Sequence, residues 1–215
     1  MAGRFGRIHR KTAETEIKVE LALDGTGQAE ISTGIGFFDH MLAQLARHGF
    51  FDLTVLAKGD LDVDGHHTVE DVGICLGKAF ADALGERAGI RRYATAWIPM
   101  DDALAMASLD ISGRPYLAFT AEFPQTRVGD FEAALVEEFF RGFVQQGGLT
   151  LHLRLYAGRN THHMIEALFK AVARALDEAS ALDPRLGGVI PSTKGSLTET
   201  EPPVFQAISS ATVRG

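Results

Sequence analysis

The chain has 215 residues, a formal net charge of −7 and a single cysteine, Cys75. That length fits one large domain or two tightly joined halves. The acidic balance argues against a nucleic-acid backbone as partner, and one cysteine excludes an intramolecular disulfide and a cysteine-rich zinc site.

The opening stretch, MAGRFGRIHRKTAETE, is basic but has no apolar core of a secretory signal. It reads as a mobile terminus that carries His9. Next comes a helical pattern, FFDHMLAQLARHG, with a glycine at its end. It places His40 near its start and His48 at its C-terminus, where the helix dipole suits a surface imidazolium. An alternating strand begins at Leu53, a glycine loop follows, and a long helix opens as HHTVEDVGICLGKAFADALG. Within that helix Cys75 sits in an apolar run and is expected to be a buried, reduced thiol. GIRRYA (89–94) and DISGRPYL (110–117) are basic turns. The helix, strand, loop, helix order then recurs. LVEEFFRGFVQQG carries Glu138, a strand from Leu149 carries His152, and a second long helix opens as HHMIEALFKAVARALDEA. His152 reads as a core histidine or one that supports a neighbouring ligand. PSTKG (191–195) follows, and residues 198–215 form an extension. No apolar run approaches the ~20 residues of a membrane span, so a soluble cytoplasmic protein is expected.

The recurrence is a true repeat. His66, His67 and Glu70 match His162, His163 and Glu166, and Leu53 and Thr54 match Leu149 and Thr150, all at one spacing of 96 residues. The expectation is an α+β fold built from a duplicated α/β unit. The first copy covers 1–95 and the second 96–197, with the two forming one compact body.

Each H-H-x-x-E set has a definite geometry. Positions three and four apart share a helix face, so each glutamate faces its histidines. Adjacent histidines point about 100° apart and cannot easily hold one ion together. Each motif therefore offers halves of two sites, and the rest comes from the other repeat or another subunit. An imidazole and carboxylate shell without thiolate suits Mn, Fe, Ni, Co or Zn. His40 is a further candidate, and Glu138 is its counterpart in the second copy if the following turn differs by two residues. PSTKG can present backbone N–H groups, Ser192 and Lys194 to a phosphate. Together with the two basic turns, it makes a small anionic substrate a reasonable expectation for an acidic protein.

GIGFFDHMLAQLARHG, DGHHTVEDVG, DISGRPYL, LVEEFFRGF, LYAGRNTHHMIEALFKAVARAL and PSTKGSL together resemble the imidazoleglycerol-phosphate dehydratases of histidine biosynthesis. The resemblance runs from about Arg7 to Leu197. It implies a duplicated fold like domain 2 of ribosomal protein S5, trimers assembled into a 24-subunit cage, and two Mn²⁺ ions per active site between subunits. The implied metal ligands are His40, His66, His67, Glu70, His162, His163 and Glu166. Glu138 stands where some members have histidine, and either it or His152 fills that position. The implied phosphate ligands are Gln44, Arg92, Arg114, Ser192 and Lys194. The implied reaction removes water from D-erythro-imidazole-glycerol phosphate to give imidazole-acetol phosphate, through a metal-bound imidazolate and a diazafulvene. Glu166 is the first choice of base, with Glu14 and Glu70 as the other carboxylates. The competing expectation is a non-catalytic oligomer that binds metal through the same residues.

Overall fold

The computed structural model describes residues 3–197; the expected extension at 198–215 lies outside them. The first copy runs β1 (Phe5–Lys11), β2 (Thr15–Ala22), β3 (Ala29–Ser32), α1 (Gly36–Gly49), β4 (Asp52–Gly59) and α2 (His66–Leu84). The second runs β5 (Tyr93–Met100), β6 (Ala103–Asp110), β7 (Tyr116–Thr120), the short hairpin β8 (Arg127–Val128) and β9 (Phe131–Glu132), α3 (Leu135–Gly147), β10 (Thr150–Ala157) and α4 (Thr161–Ser180). The two main sheets have the same topology, β1-β2-β4-β3 and β5-β6-β10-β7. In each, the last pair is parallel and the others are antiparallel. The fold is therefore α+β and duplicated, and the β8–β9 hairpin is an insertion peculiar to the second copy.

Side-chain alternation explains why each sheet has one covered face. In β2, Thr15, Ile17, Val19 and Leu21 are buried, and in β6 Ala103, Ala105, Ala107 and Leu109 are buried. The intervening residues point away from the core. His152 is one of these in β10: Leu151 and Leu153 are buried, while His152 is exposed beside Tyr116 on the open face. It is not a core histidine, and it faces away from the helices that carry the H-H-x-x-E sets. His9 does not lie in a loose terminus either; it is the middle of β1, 3.0 Å from Glu16.

The helices pack in two pairs, α1 with α4 and α2 with α3. Glycines set how closely the second pair approaches. A Cβ on Gly73 would stand 2.4 Å from Phe139 O, one on Gly77 2.4 Å from Phe143 O, and one on Gly142 3.0 Å from Glu70 O. The Gly73–Phe139 and Gly77–Phe143 contacts advance together along both helices, so α2 and α3 run parallel with their N-termini at the same end. Phe38, Phe80, Phe131, Phe139, Phe140, Phe143 and Phe169 fill the centre, all fully buried. Phe139 meets four of the other rings, at centroid distances of 5.0–6.4 Å. Each such side chain contributes roughly 1.5–3 kcal/mol through burial, enough to hold helix ends rigidly where the polar groups gather.

Candidate metal centre and anion loop

Both H-H-x-x-E sets sit at helix starts. Asn160 caps α4 by accepting from His162 N at 2.9 Å, and Asp64 accepts from His66 N at 2.8 Å. Fixing the first turn fixes the direction of both imidazoles. The rings of His66 and His67 are 6.2 Å apart and perpendicular, and those of His162 and His163 are 6.1 Å apart at 80°. The neighbours diverge, as the helical geometry demands, and each serves a different place.

His162 and Glu166 meet His40 from the first copy, because α1 packs along α4. Glu166 Oε2 lies 3.2 Å from both His40 Nε2 and His162 Nε2, and the three donor atoms fall within 4.8 Å of one another. Two imidazoles and a carboxylate at that spacing suit a divalent cation with nitrogen and oxygen preference. Glu166 is 4% exposed. Its second oxygen, Oε1, is held by Lys170 Nζ at 2.6 Å. Burial alone would raise the carboxyl, but Lys170 and His40 outweigh it and hold Glu166 below the usual carboxylate range.

His67 and His163 each face a carboxylate instead. Asp60 lies 3.0 Å from His67 Nδ1, and Asp102 lies 2.7 Å from His163 Nδ1. Such a partner fixes the ring and leaves Nε2 as the outward donor. The Asp60 hydrogen bond raises the affinity of His67 for its proton. The His163 hydrogen bond, with the Arg159 and Asn160 amides, holds Asp102 far below the usual carboxylate range. Glu14, at the β1–β2 turn, stands 3.9 Å from His67, and Asp101, at the β5–β6 turn, stands 3.7 Å from His163. The two sets are thus nearly matched around the repeat.

The first set is looser. His66 Nε2 is 3.8 Å from Glu70. Glu138 lies on α3, the helix packed against α2, but among the described residues the ligand atoms that gather within 4.8 Å of one another are those of His40, His162 and Glu166. Glu138 itself is paired with Arg141 at 3.3 Å.

The expected phosphate ligands gather elsewhere. Arg92 holds Asp110 through Nε at 2.7 Å and Nη2 at 3.1 Å, and donates from Nη1 to Pro191 O at 2.7 Å. Arg114 is exposed in the turn after β6, and Ser192 and Lys194 lie on the 191–195 loop that Arg92 grips. The Lys194 amide donates to Ser192 Oγ at 3.1 Å, which shapes the loop as a compact turn. Gln44 is apart from these, on α1, where its Oε1 is 3.0 Å from His48 Nε2. His48 departs from the surface cation expected of it. It is half-buried, and burial, followed by nearby Lys170, pushes its pKa down.

Two rulers separate the metal end from the anion loop. Arg92 N bonds Ala179 O near the end of α4, so the length of that helix from His162 spans roughly 25 Å. β6 runs from beside Asp102, the partner of His163, to Asp110, the partner of Arg92, and eight extended residues again cover roughly 26 Å. The carboxylate partners Asp60 and Asp102 and the lysine Lys170 escaped sequence reasoning. Asp60 precedes its motif in an acidic loop, GDLDVDG, and Lys170 follows Glu166 by four, so both had a local signal. Asp102 arrives from a separate hairpin and had none.

A duplicated sheet-and-helix scaffold, with paired histidine–glutamate sets starting its helices and a basic loop at the far end, defines one class of protein. The family model for imidazoleglycerol-phosphate dehydratase matches residues 33–176. The dehydratase of Caldanaerobacter subterraneus subsp. tengcongensis is 60% identical over 194 residues, 90% of this chain and 100% of that one. That of Acidithiobacillus ferrooxidans is 55% identical over 198 residues, 92% of this chain and 100% of that one. The crystal structure of the Staphylococcus aureus dehydratase superposes with a TM-score of 0.76 at 40% identity, covering 83% of this chain and 99% of that one. That of the Pyrococcus furiosus enzyme, in complex with (S)-C348, gives the same TM-score at 35% identity, with coverages of 88% and 99%. The chain belongs to the imidazoleglycerol-phosphate dehydratase family. Among the described residues, no helix is long and apolar enough to cross a membrane.

Proposed function

We propose that this chain is a hydro-lyase that converts D-erythro-imidazole-glycerol phosphate to imidazole-acetol phosphate in histidine biosynthesis, with two Mn²⁺ ions at each active site. The observation that carries this reading is the meeting of His40 with His162 and Glu166 across the repeat, within 4.8 Å, in a chain of this family. His40, His162 and Glu166 would hold one cation. His67 and His163, each steadied at Nδ1, would offer Nε2 to cations completed from outside the chain. His66, Glu70 and Glu138 belong to the same ligand sets. The cations, when bound, would supply positive charge beside the substrate's ring nitrogens, which favours loss of the ring N–H proton and so gives the ring the electron density that expels the neighbouring hydroxyl.

The chain's own residues do the rest. One proton must reach the departing hydroxyl and one must leave the next carbon, so a carboxylate that can move and change protonation is required. Glu166 was the expected base, but both of its oxygens are occupied and it is buried. It suits the work of a ligand. Glu14 has a half-exposed side chain, sits on a turn and reaches the His67 side, which makes it the better proton carrier. Ser192, Lys194 and Arg114 take the phosphate, and Arg92 fixes the loop that presents them. Gln44 lies on the metal side of the molecule and faces a different part of the substrate.

A single small substrate cannot reach both the metal end and the anion loop of one chain across roughly 25 Å. We therefore propose that the site is closed by a second copy, within a homo-oligomer of trimers assembled as a 24-mer. The test has two parts. Purified protein with Mn²⁺ is assayed for dehydration of the substrate; no turnover with metal bound favours the non-catalytic metal-binding alternative. His163→Ala and Lys194→Ala variants, each inactive or weak, are then dissociated and reassembled together. Recovery of activity is expected, because mixed contacts restore some intact sites. No recovery in verified mixed oligomers refutes a shared site.

A further inference from the structure

Arg87 follows α2, is 5% exposed, and has a backbone φ of +61°. A left-handed backbone is costly for a residue with a side chain, and its Nε is buried without a partner. The guanidinium is nevertheless committed to three carbonyls. Nη2 donates to Gly147 O at 3.0 Å, and Nη1 donates to Gly148 O at 3.2 Å and to Leu197 O at 2.8 Å. The first two close the turn after α3. The third belongs to the residue that ends PSTKGSL, 110 positions further along the chain.

The Leu197 carbonyl is also pressed by Gly113, where a Cβ would stand only 2.1 Å away. Gly113 N donates to Gly148 O at 2.8 Å, so the turn that carries Arg114 joins the same node. The Leu197 side chain is 4% exposed and anchors the position from its apolar side. At the other end of the loop Arg92 holds Pro191 O. Ser192 and Lys194 therefore lie between two arginine clamps, at 191 and at 197.

We infer that Arg87 is a positioning residue for the reaction: it latches the 191–197 loop and the Arg114 turn together in the geometry that takes a phosphate. The inference rests on the proposed phosphate role of that loop. Arg87 itself is too enclosed to touch the substrate. An apparent dissociation constant scales inversely with the fraction of molecules in the competent arrangement. A loop correctly placed in about a tenth of molecules binds phosphate about ten-fold more weakly.

The experiment uses the full chain with Mn²⁺ and compares wild type, Arg87→Lys, Leu197→Ala and Lys194→Ala. Lysine keeps the charge but cannot serve three carbonyls from one planar fork. Hydrogen exchange over residues 190–197 reads the latch directly. KM, kcat and competitive inhibition by inorganic phosphate read its consequence. Arg87→Lys and Leu197→Ala should both speed exchange in the loop and raise KM and the phosphate inhibition constant about ten-fold, with kcat at saturation and metal content kept. If Arg87→Lys does not fold, Leu197→Ala decides by the same readings. Unchanged exchange overturns the latch. Faster exchange with normal phosphate inhibition, while Lys194→Ala weakens it, overturns the positioning role alone. Normal inhibition in Lys194→Ala as well removes the phosphate loop from the proposed function, and the inference falls with it.

Discussion

Replacing Glu166 with glutamine isolates a buried charge with three close partners. The carboxylate contacts His40 and His162 at 3.2 Å each and Lys170 at 2.6 Å. Glutamine keeps the shape but leaves the Lys170 ammonium, whose side chain is 16% exposed, beside two imidazoles with no anion. Removing one partner of a fully buried pair costs about 3–5 kcal/mol. Lys170 retains some solvent and the amide oxygen still accepts, so the cost here is about 2 kcal/mol, or about thirty-fold in the folded-to-unfolded ratio. Urea denaturation of chelated protein at pH 7 measures it. Glu166→Gln/Lys170→Met, which removes the stranded cation, should recover at least half of the loss in a double-mutant cycle. The pH dependence has a definite sign. The folded-state pKa of Glu166 is depressed, so its contribution is complete above the unfolded carboxylate pKa of about 4.3 and is lost as the pH falls below that. The gap between wild type and Glu166→Gln should narrow accordingly in acid. A single variant within ~0.5 kcal/mol of wild type, or a double variant with no recovery, would refute the reasoning.

Gly73→Ala forces a methyl group to within 2.4 Å of Phe139 O, a backbone atom that cannot rotate aside. It should cost about 1–3 kcal/mol through overpacking, measurable by thermal or urea melts, and a neutral substitution would show that α2 and α3 are not locked in this register. Cys75 is fully buried, and burial pushes its thiol up to about 11. It should resist iodoacetamide in the native protein at pH 8 and react on unfolding; rapid native labelling would contradict its place in the core.

The repeat was legible because the polar motifs are local: each H-H-x-x-E occupies five consecutive residues at a helix start, and helical spacing alone separates its histidines. The strands were less legible. β5 and β6 carry small or apolar residues on both faces, and only the sheet decides which face is inside. His152 carried a local signal, since LTLHL alternates and the pleat sends its histidine, with Thr150, to the face opposite the leucines. His9 was misread because basic residues near a chain start look unstructured until a partner strand pairs them. The triad of His40 with His162 and Glu166 joins residues 126 positions apart, and nothing local in either segment announces that α1 lies along α4.

The placement of the two polar centres follows from the same duplication. Parallel packing of α2 with α3, and of α1 with α4, brings helix N-termini together in pairs. Carboxylates there favour the dipole and gather imidazoles around them. The C-terminal ends of α2, α3 and α4 meet Arg87 or Arg92, so cationic groups collect where the dipole is negative. One scaffold thus separates an end where imidazoles and carboxylates gather from an end where arginines and Lys194 gather, by the length of its own helices; these are the proposed cation and anion ends. A substrate with a metal-binding ring at one end and a phosphate at the other is only a few bonds long. On the proposed function it can use both ends only where the metal end of one copy is brought against the anion end of another, and assembly and active-site formation would then be the same event.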